Sequence, residues 1–153
     1  MPEFTVPKTD TKSFVGPVTL TYAFKLEAVF DAMREEKTPR GARTFQQIAS
    51  GVISGPKLSG KVYPYSGSDL GFLRPDRVED LNLRFMINTD DGEWIYVNHS
   101  GYHRRADGYY RVAATFDAER SGAHFWLNDT TVLATAEASK DGRRVVFTYY
   151  EVG

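Results

Sequence analysis

The most constraining feature of this chain is a run of two-faced segments joined by Asp-Gly turns. In "VEDLNLRFMINT", Leu81, Leu83, Phe85 and Ile87 alternate with Asn82, Arg84, Met86 and Asn88. That period of two is the signature of a β-strand whose side chains point to opposite faces. "DDG" follows, and Gly92 suits the positive φ of a tight hairpin. "EWIYVNHSG" then resumes the alternation, with Trp94, Tyr96 and Asn98 opposite Ile95 and Val97. Upstream, Leu20, Tyr22, Phe24 and Leu26 alternate with Thr21, Ala23, Lys25 and Glu27. Downstream, "YYRVAATFDA", "AHFWLNDTTVLATAEA" and "RRVVFTYYEV" complete the set, the last two joined by a second Asp-Gly turn in "SKDGR".

Regularly spaced strands joined as hairpins, with no sustained helical pattern beyond a charged "DAMREEKTPRG" that fits one helical turn or a long loop, predict an all-β sandwich or barrel. Several strands carry an apolar row opposite a row of Arg, Asn, Tyr and Trp. A sandwich with a decorated outer face would favour Lys, Glu and Thr there. The pattern therefore favours a single antiparallel β-barrel whose mixed rows line a polar-aromatic cavity and whose apolar rows pack outside, where they suggest a self-associating face. A chain of 153 residues is most simply one domain: an N-terminal arm over residues 1–16, with Pro2 and Pro7, and a barrel over 17–153.

Composition narrows the function. Net charge is -1 with scattered Lys and Arg, so the basic stripe of a nucleic-acid binder is missing. There is no cysteine, which excludes disulfides and thiolate chemistry. No apolar run approaches the length of a membrane-spanning helix, and "MPEFTVPKTDTK" lacks the regions of a signal peptide, so a cytoplasmic protein is expected. His99 and His103 in "HSGYH" have a metal-binding spacing only on a helix, and here they flank a glycine between strands. No metal or cofactor is expected.

Candidate chemistry gathers at few positions. Asp69 in the glycine-flanked "YSGSDLG" suits a general base, and equally an Asx-turn. His103 is a candidate acid or base, since histidine is the residue type most used for proton transfer. Arg84, if inside a barrel, needs a carboxylate or a ligand oxyanion. In "HFWLNDT", read as a strand, Trp126 and Asn128 share the mixed face, the first as a flat wall and the second as an orienting hydrogen bond. Tyr96 adds a second wall.

"GARTFQQIASGVISGPKLSGKVYPYSGSDLG", "LNLRFMINTDDGEWIYVNHSG", "YYRVAATFDA", "WLN" and the closing "YYEV" resemble the domain-of-unknown-function 3237 family of bacteria and fungi, from about Leu20 to Val152. The most specific pieces are Gly55 to Gly60, the approach to Asp69, the Asp91-Gly92 hairpin and Trp126-Leu127-Asn128. The resemblance implies a small antiparallel barrel, lipocalin-like or allene-oxide-cyclase-like, in small-molecule or secondary metabolism. It places Arg43, Asp69, Arg84 and Asn128 on the family's polar positions. The chain departs from the family pattern at Asn82 and Phe85, where Asp and Tyr are usual, at Asp76-Arg77, where Asp-Gly is common, and at Leu70, where Trp is frequent.

The expectation is thus a cofactor-independent isomerase, cyclase or lyase acting on a small phenolic, cyclic or polyketide-like metabolite. Asp69, Arg84 and His103 would be catalytic, and Arg43, Tyr96, Trp126 and Asn128 substrate-binding. The alternative is a non-catalytic small-molecule carrier barrel. Its partner is a small molecule rather than nucleic acid or membrane, and a homodimer is possible.

Overall fold

The computed structural model describes residues 16–153, so most of the expected N-terminal arm lies outside the described residues. Ten strands run β1 (Leu20–Phe30), β2 (Arg34–Thr38), β3 (Gly41–Ser54), β4 (Gly60–Val62), β5 (Ser68–Leu73), β6 (Val78–Thr89), β7 (Trp94–Arg104), β8 (Tyr109–Asp117), β9 (Val132–Ala138) and β10 (Arg144–Val152), with one 3₁₀ turn, η1 (Phe125–Asn128). Every pairing is antiparallel. β1 pairs with both β10 and β3, which closes the sheet into an eight-stranded barrel. β4 and β5 together fill one position between β3 and β6, and β2 pairs only with β3. Closure removes the edges of the barrel proper and leaves β2 as an edge strand, whose charged Arg34, Glu35, Glu36 and Lys37 discourage further pairing.

Two glycines mark the tightest requirements. Gly92 has φ of +90° at the β6–β7 hairpin, a conformation only glycine adopts freely. Gly67 lets the chain cross β6 just before β5, since a Cβ there would lie 1.6 Å from the carbonyl oxygen of Arg84.

The face that points inward is the opposite of the one expected. Leu81, Leu83, Phe85 and Ile87 of β6 are buried in the barrel, while Asn82, Arg84 and Asn88 are exposed. Ile95 and Val97 of β7, Val112 and Phe116 of β8, Phe147 and Tyr149 of β10, and Phe24 and Leu26 of β1 complete the same core. The apolar rows fill the centre of the barrel, one of the two ways an eight-stranded interior is used. The mixed rows, including the expected cavity-facing Arg84, form the outer wall. The apolar rows expected on a self-associating exterior are therefore the core itself.

One polar residue lies deep in that core. His99 contacts Phe85, Phe147 and Tyr149, and its Nε2 is 2.8 Å from the Tyr149 hydroxyl. Burial drives the imidazole pKa down to about 3, so this histidine is neutral.

"HFWLNDT" is not a strand. It holds η1, because its polar side chains bond the local backbone in place of a sheet ladder. Asn128 Oδ1 accepts from the Ala118 N–H at 2.9 Å, and its Nδ2 donates to the carbonyls of Ala118 and Phe125. Thr130 Oγ1 donates to the Trp126 carbonyl at 2.7 Å. The turn drives Leu127 into the core and lays Trp126 against it. The charged thirties form neither a helical turn nor a loop but β2, the exposed outer strand of a hairpin with β3.

Candidate functional site

At one end of the barrel, polar residues replace apolar ones on the inward rows. On β3, Thr44 and Gln46 take the row that Ile48 continues. On β5, Asp69 pairs across with Gln46 and shares its inward side. On β6, Glu79 is in phase with Leu81 and Leu83 and is buried. On β7, His103 follows His99 and Gly101 inward and pairs with Glu79 on one side and Tyr110 of β8 on the other.

Gln46, Asp69, Glu79, His103 and Tyr110 line a cavity of ≈410 Å³ at the barrel mouth, walled also by Met33, Arg105 and the β9–β10 hairpin from Ser139 to Gly142. Gln46 Nε2 braces two sides of the rim, donating at 3.0 Å to the carbonyls of both Asp31 and Gly142. Arg105 reaches across from the β7–β8 turn, pairing with Glu79 and lying 3.8 Å from the Met33 sulfur.

The electrostatics separate the two carboxylates. Burial lifts the Asp69 pKa to about 6; the Asn82 N–H, 3.1 Å from Oδ1, opposes that rise, and the negative charge of Glu79 adds to it. Burial would raise Glu79 too, but the His103 and Arg105 contacts outweigh it and hold this carboxyl below its ordinary value. His103 Nδ1 is 3.3 Å from Glu79 Oε2, and its ring stacks on Tyr110 at 4.3 Å between centroids. One carboxylate is thus committed to His103 and Arg105, while the other, in the same cavity, has its pKa lifted to about 6. Pairs pushed apart in this way are the usual arrangement of acid–base sites.

Of the residues singled out from the sequence, the structure brings Asp69 and His103 into this cavity. Arg84 and Tyr96 face outward and share a shallow hollow of ≈320 Å³ on the outer wall. Arg43 lies outside on β3, its guanidinium 5.0 Å from the centre of the Phe72 ring. Trp126 and Asn128 belong to η1, where Lys57 sits 4.9 Å over the indole.

Glu79, Tyr110 and Gln46 line the mouth without having been singled out. The available signal was phase: each is a polar or phenolic group in step with an otherwise apolar row. A larger outer groove of ≈800 Å³ runs along β7 to β10, walled by Leu20, Tyr102, Tyr109, Leu133 and Tyr150. It has Asp80 and Arg111 but no comparable cluster of titratable groups. Chemistry rather than volume therefore selects the mouth. Among the described residues, no group of His, Cys, Asp and Glu is placed to hold a metal ion, and no helix is long and apolar enough to cross a membrane.

Comparison with known proteins agrees with the barrel. A UPF0311 protein of Rhodopseudomonas palustris is 32% identical over 81 residues, which are 52% of this chain and 52% of that protein. The chain spans about half the length of this and two other curated relatives, and 94% of a fourth, from Bradyrhizobium diazoefficiens, at 26% identity. Among solved structures, a β-barrel-like protein of Acinetobacter baumannii superposes with a TM-score of 0.81 at 23% identity, covering 93% of this chain and all of that one. An enzyme from Penicillium herquei superposes with a TM-score of 0.75 at 22% identity, covering 93% of this chain and 99% of that one. The family model described as "protein of unknown function (DUF3237)" matches residues 18–152, and with nearly its whole length inside that match the chain belongs to this family.

Proposed function

We propose that the barrel mouth is an acid–base site that moves protons on a small cyclic, phenolic or polyketide-like molecule, in the manner of an isomerase, cyclase or lyase. The observation that carries this reading is Asp69, an inward carboxyl whose pKa is lifted to about 6 and which shares a cavity with His103. A base with that pKa is mostly ionised at neutral pH, yet holds a captured proton far better than an ordinary aspartate. His103, oriented through Nδ1 by Glu79, is the second proton-handling group.

The cavity suits a small ligand with an apolar body. Its ≈410 Å³ lies within the range of small-molecule pockets, and Met33, Leu81, Tyr110 and Val145 provide apolar and aromatic walls. Gly142 and the rest of the β9–β10 hairpin bring backbone to the rim. Proton transfer asks for no cofactor, because Asp69 and His103 supply both partners of the exchange. That a protein of similar fold from Penicillium herquei is an enzyme is in keeping with catalysis on this barrel. A carrier would use the same mouth cavity; the lifted carboxyl of Asp69 within it is what favours proton transfer over holding alone.

The test is deuterium exchange. The protein is incubated in heavy water with a panel of cyclic ketones, phenols and polyketide fragments, and label uptake is followed by mass spectrometry. The expected result is catalysed uptake in one compound class, reduced about 10²–10⁴-fold in Asp69→Asn. Uptake that survives unchanged in a folded Asp69→Asn variant would sink the assignment.

A further inference from the structure

We propose that Tyr110 donates the hydrogen bond that holds the reacting oxygen of the substrate, which makes the substrate a carbonyl compound that reacts through its enolate. This rests on the acid–base reading of the mouth and names its substrate class.

Two buried tyrosines of the barrel interior can be compared directly. Tyr149 is fully enclosed and its hydroxyl is satisfied by His99 at 2.8 Å. Tyr110 is only 8% exposed and lines the cavity with Asp69, and its hydroxyl, which is not among the sealed unpartnered groups, bonds none of the described residues. A phenol on a cavity wall bonds water when the cavity is empty and exchanges it for a ligand oxygen that can accept.

The ring is held firmly. It stacks on His103 at 4.3 Å and meets Phe147 edge-on at 5.9 Å. A donor that is already oriented needs no reorganisation when charge develops on its partner, which is the condition for useful electrostatic stabilisation. Burial, followed by the negative charges of Asp69 and Glu79, pushes the phenol far above its ordinary pKa. Tyr110 therefore stays protonated and acts as a donor, and the base is Asp69.

The step balances without an oxidant or reductant. The Asp69 carboxylate takes a proton from the carbon beside the carbonyl. The C–H electron pair becomes a carbon–carbon double bond, and the carbonyl π pair moves onto oxygen, which accepts the Tyr110 O–H. Return of the proton from Asp69 to another carbon of the conjugated system gives an isomer. Return to the same carbon from heavy water gives exchange.

The probe is para-nitrophenol, whose neutral and anionic forms absorb differently and whose phenolate oxygen stands in for the enolate. Nitrobenzene, which lacks that oxygen, is the shape control. Asp69→Asn imitates the protonated base, so this variant is expected to bind the phenolate at least tenfold more tightly than the unmodified protein. Adding Tyr110→Phe, which keeps the stacked ring, is expected to cost at least tenfold in phenolate affinity and to leave nitrobenzene binding and the melting temperature unchanged. Equal phenolate affinity with and without the Tyr110 hydroxyl overturns this proposal alone, and proton transfer by Asp69 still stands on its exchange test. Failure of both probes to bind any of the three proteins overturns it together with the aromatic substrate class.

Discussion

The two ends of the barrel are built from the same strands and are put to opposite uses. At one end, η1 and the preceding loops close the interior: Leu127 and Leu58 are each 2% exposed, and Trp126 packs beside them. The Asn128 side chain bonds three backbone groups there, and His124 pairs with Asp91 at 3.1 Å. At the other end the inward positions hold Asp69, Glu79, His103 and Tyr110 around a cavity. One end turns most of its polar side chains onto the chain itself, Glu93 Oε2 excepted. The other leaves a tuned carboxylate and a phenol open to whatever enters. Aromatic and amide residues therefore do not mark function by type, since "FWLN" forms the plug.

The largest stability effect is expected at the plug. Leu127→Ala should cost about 2–5 kcal/mol, the range for emptying a buried leucine site, read by urea unfolding. Phenol binding at the mouth should survive as long as the variant is folded. A variant that loses mouth binding while hardly destabilised would break the division between the ends.

At the mouth the sign should reverse. Asp69 has a folded-state pKa of about 6, above the ~3.9 of an unfolded aspartate, so between those pH values the folded protein holds a proton that the unfolded chain has lost. The contribution of Asp69 to stability therefore falls as pH rises through that window. Asp69→Asn removes this liability and should be more stable than the parent by about 1–3 kcal/mol at pH 7. The advantage should vanish near pH 4. Urea unfolding of both proteins across pH 4–7 reads the effect, and an Asn variant less stable at pH 7 would contradict the burial of that charge.

His99 sharpens the contrast between interior and mouth. Its folded-state pKa of about 3 lies below the ~6.5 of an unfolded histidine, so the stability it contributes is present above ~6.5 and is lost as pH falls toward the folded value. Its ring-proton chemical shift should stay flat from pH 8 to pH 4, and a midpoint within that range would contradict its enclosure. The smallest effect is expected on the outer wall. Arg84→Ala should change stability by no more than about 0.5 kcal/mol, and deuterium exchange should be unaffected.

Much of the barrel was legible in the chain. Strict alternation marked β6 and β7, and the Asp91-Gly92 and Asp141-Gly142 turns marked the β6–β7 and β9–β10 hairpins, both with glycine at positive φ. Asp69 and His103 stood out by residue type, but as loop residues; the structure puts them in β5 and β7. The inward face was not legible. Alternation reports that a strand has two faces, and both faces of β6 are plausible linings. Closure by eight strands does not decide it either, since such an interior can be packed with side chains or hold one small ligand. The turn at η1 was hidden for a different reason. Phe125, Trp126 and Leu127 have strand-like propensities, and only the backbone bonds of Asn128 and Thr130 override them.

The most direct test of this account is the titration of the Asp69 carboxyl carbon by NMR in the intact protein. The account predicts a midpoint of about 6, from a group shielded in the mouth beside the Glu79 charge. A midpoint near 4 would mean an ordinary solvated aspartate, and the barrel mouth would lose the base on which the proposed chemistry depends.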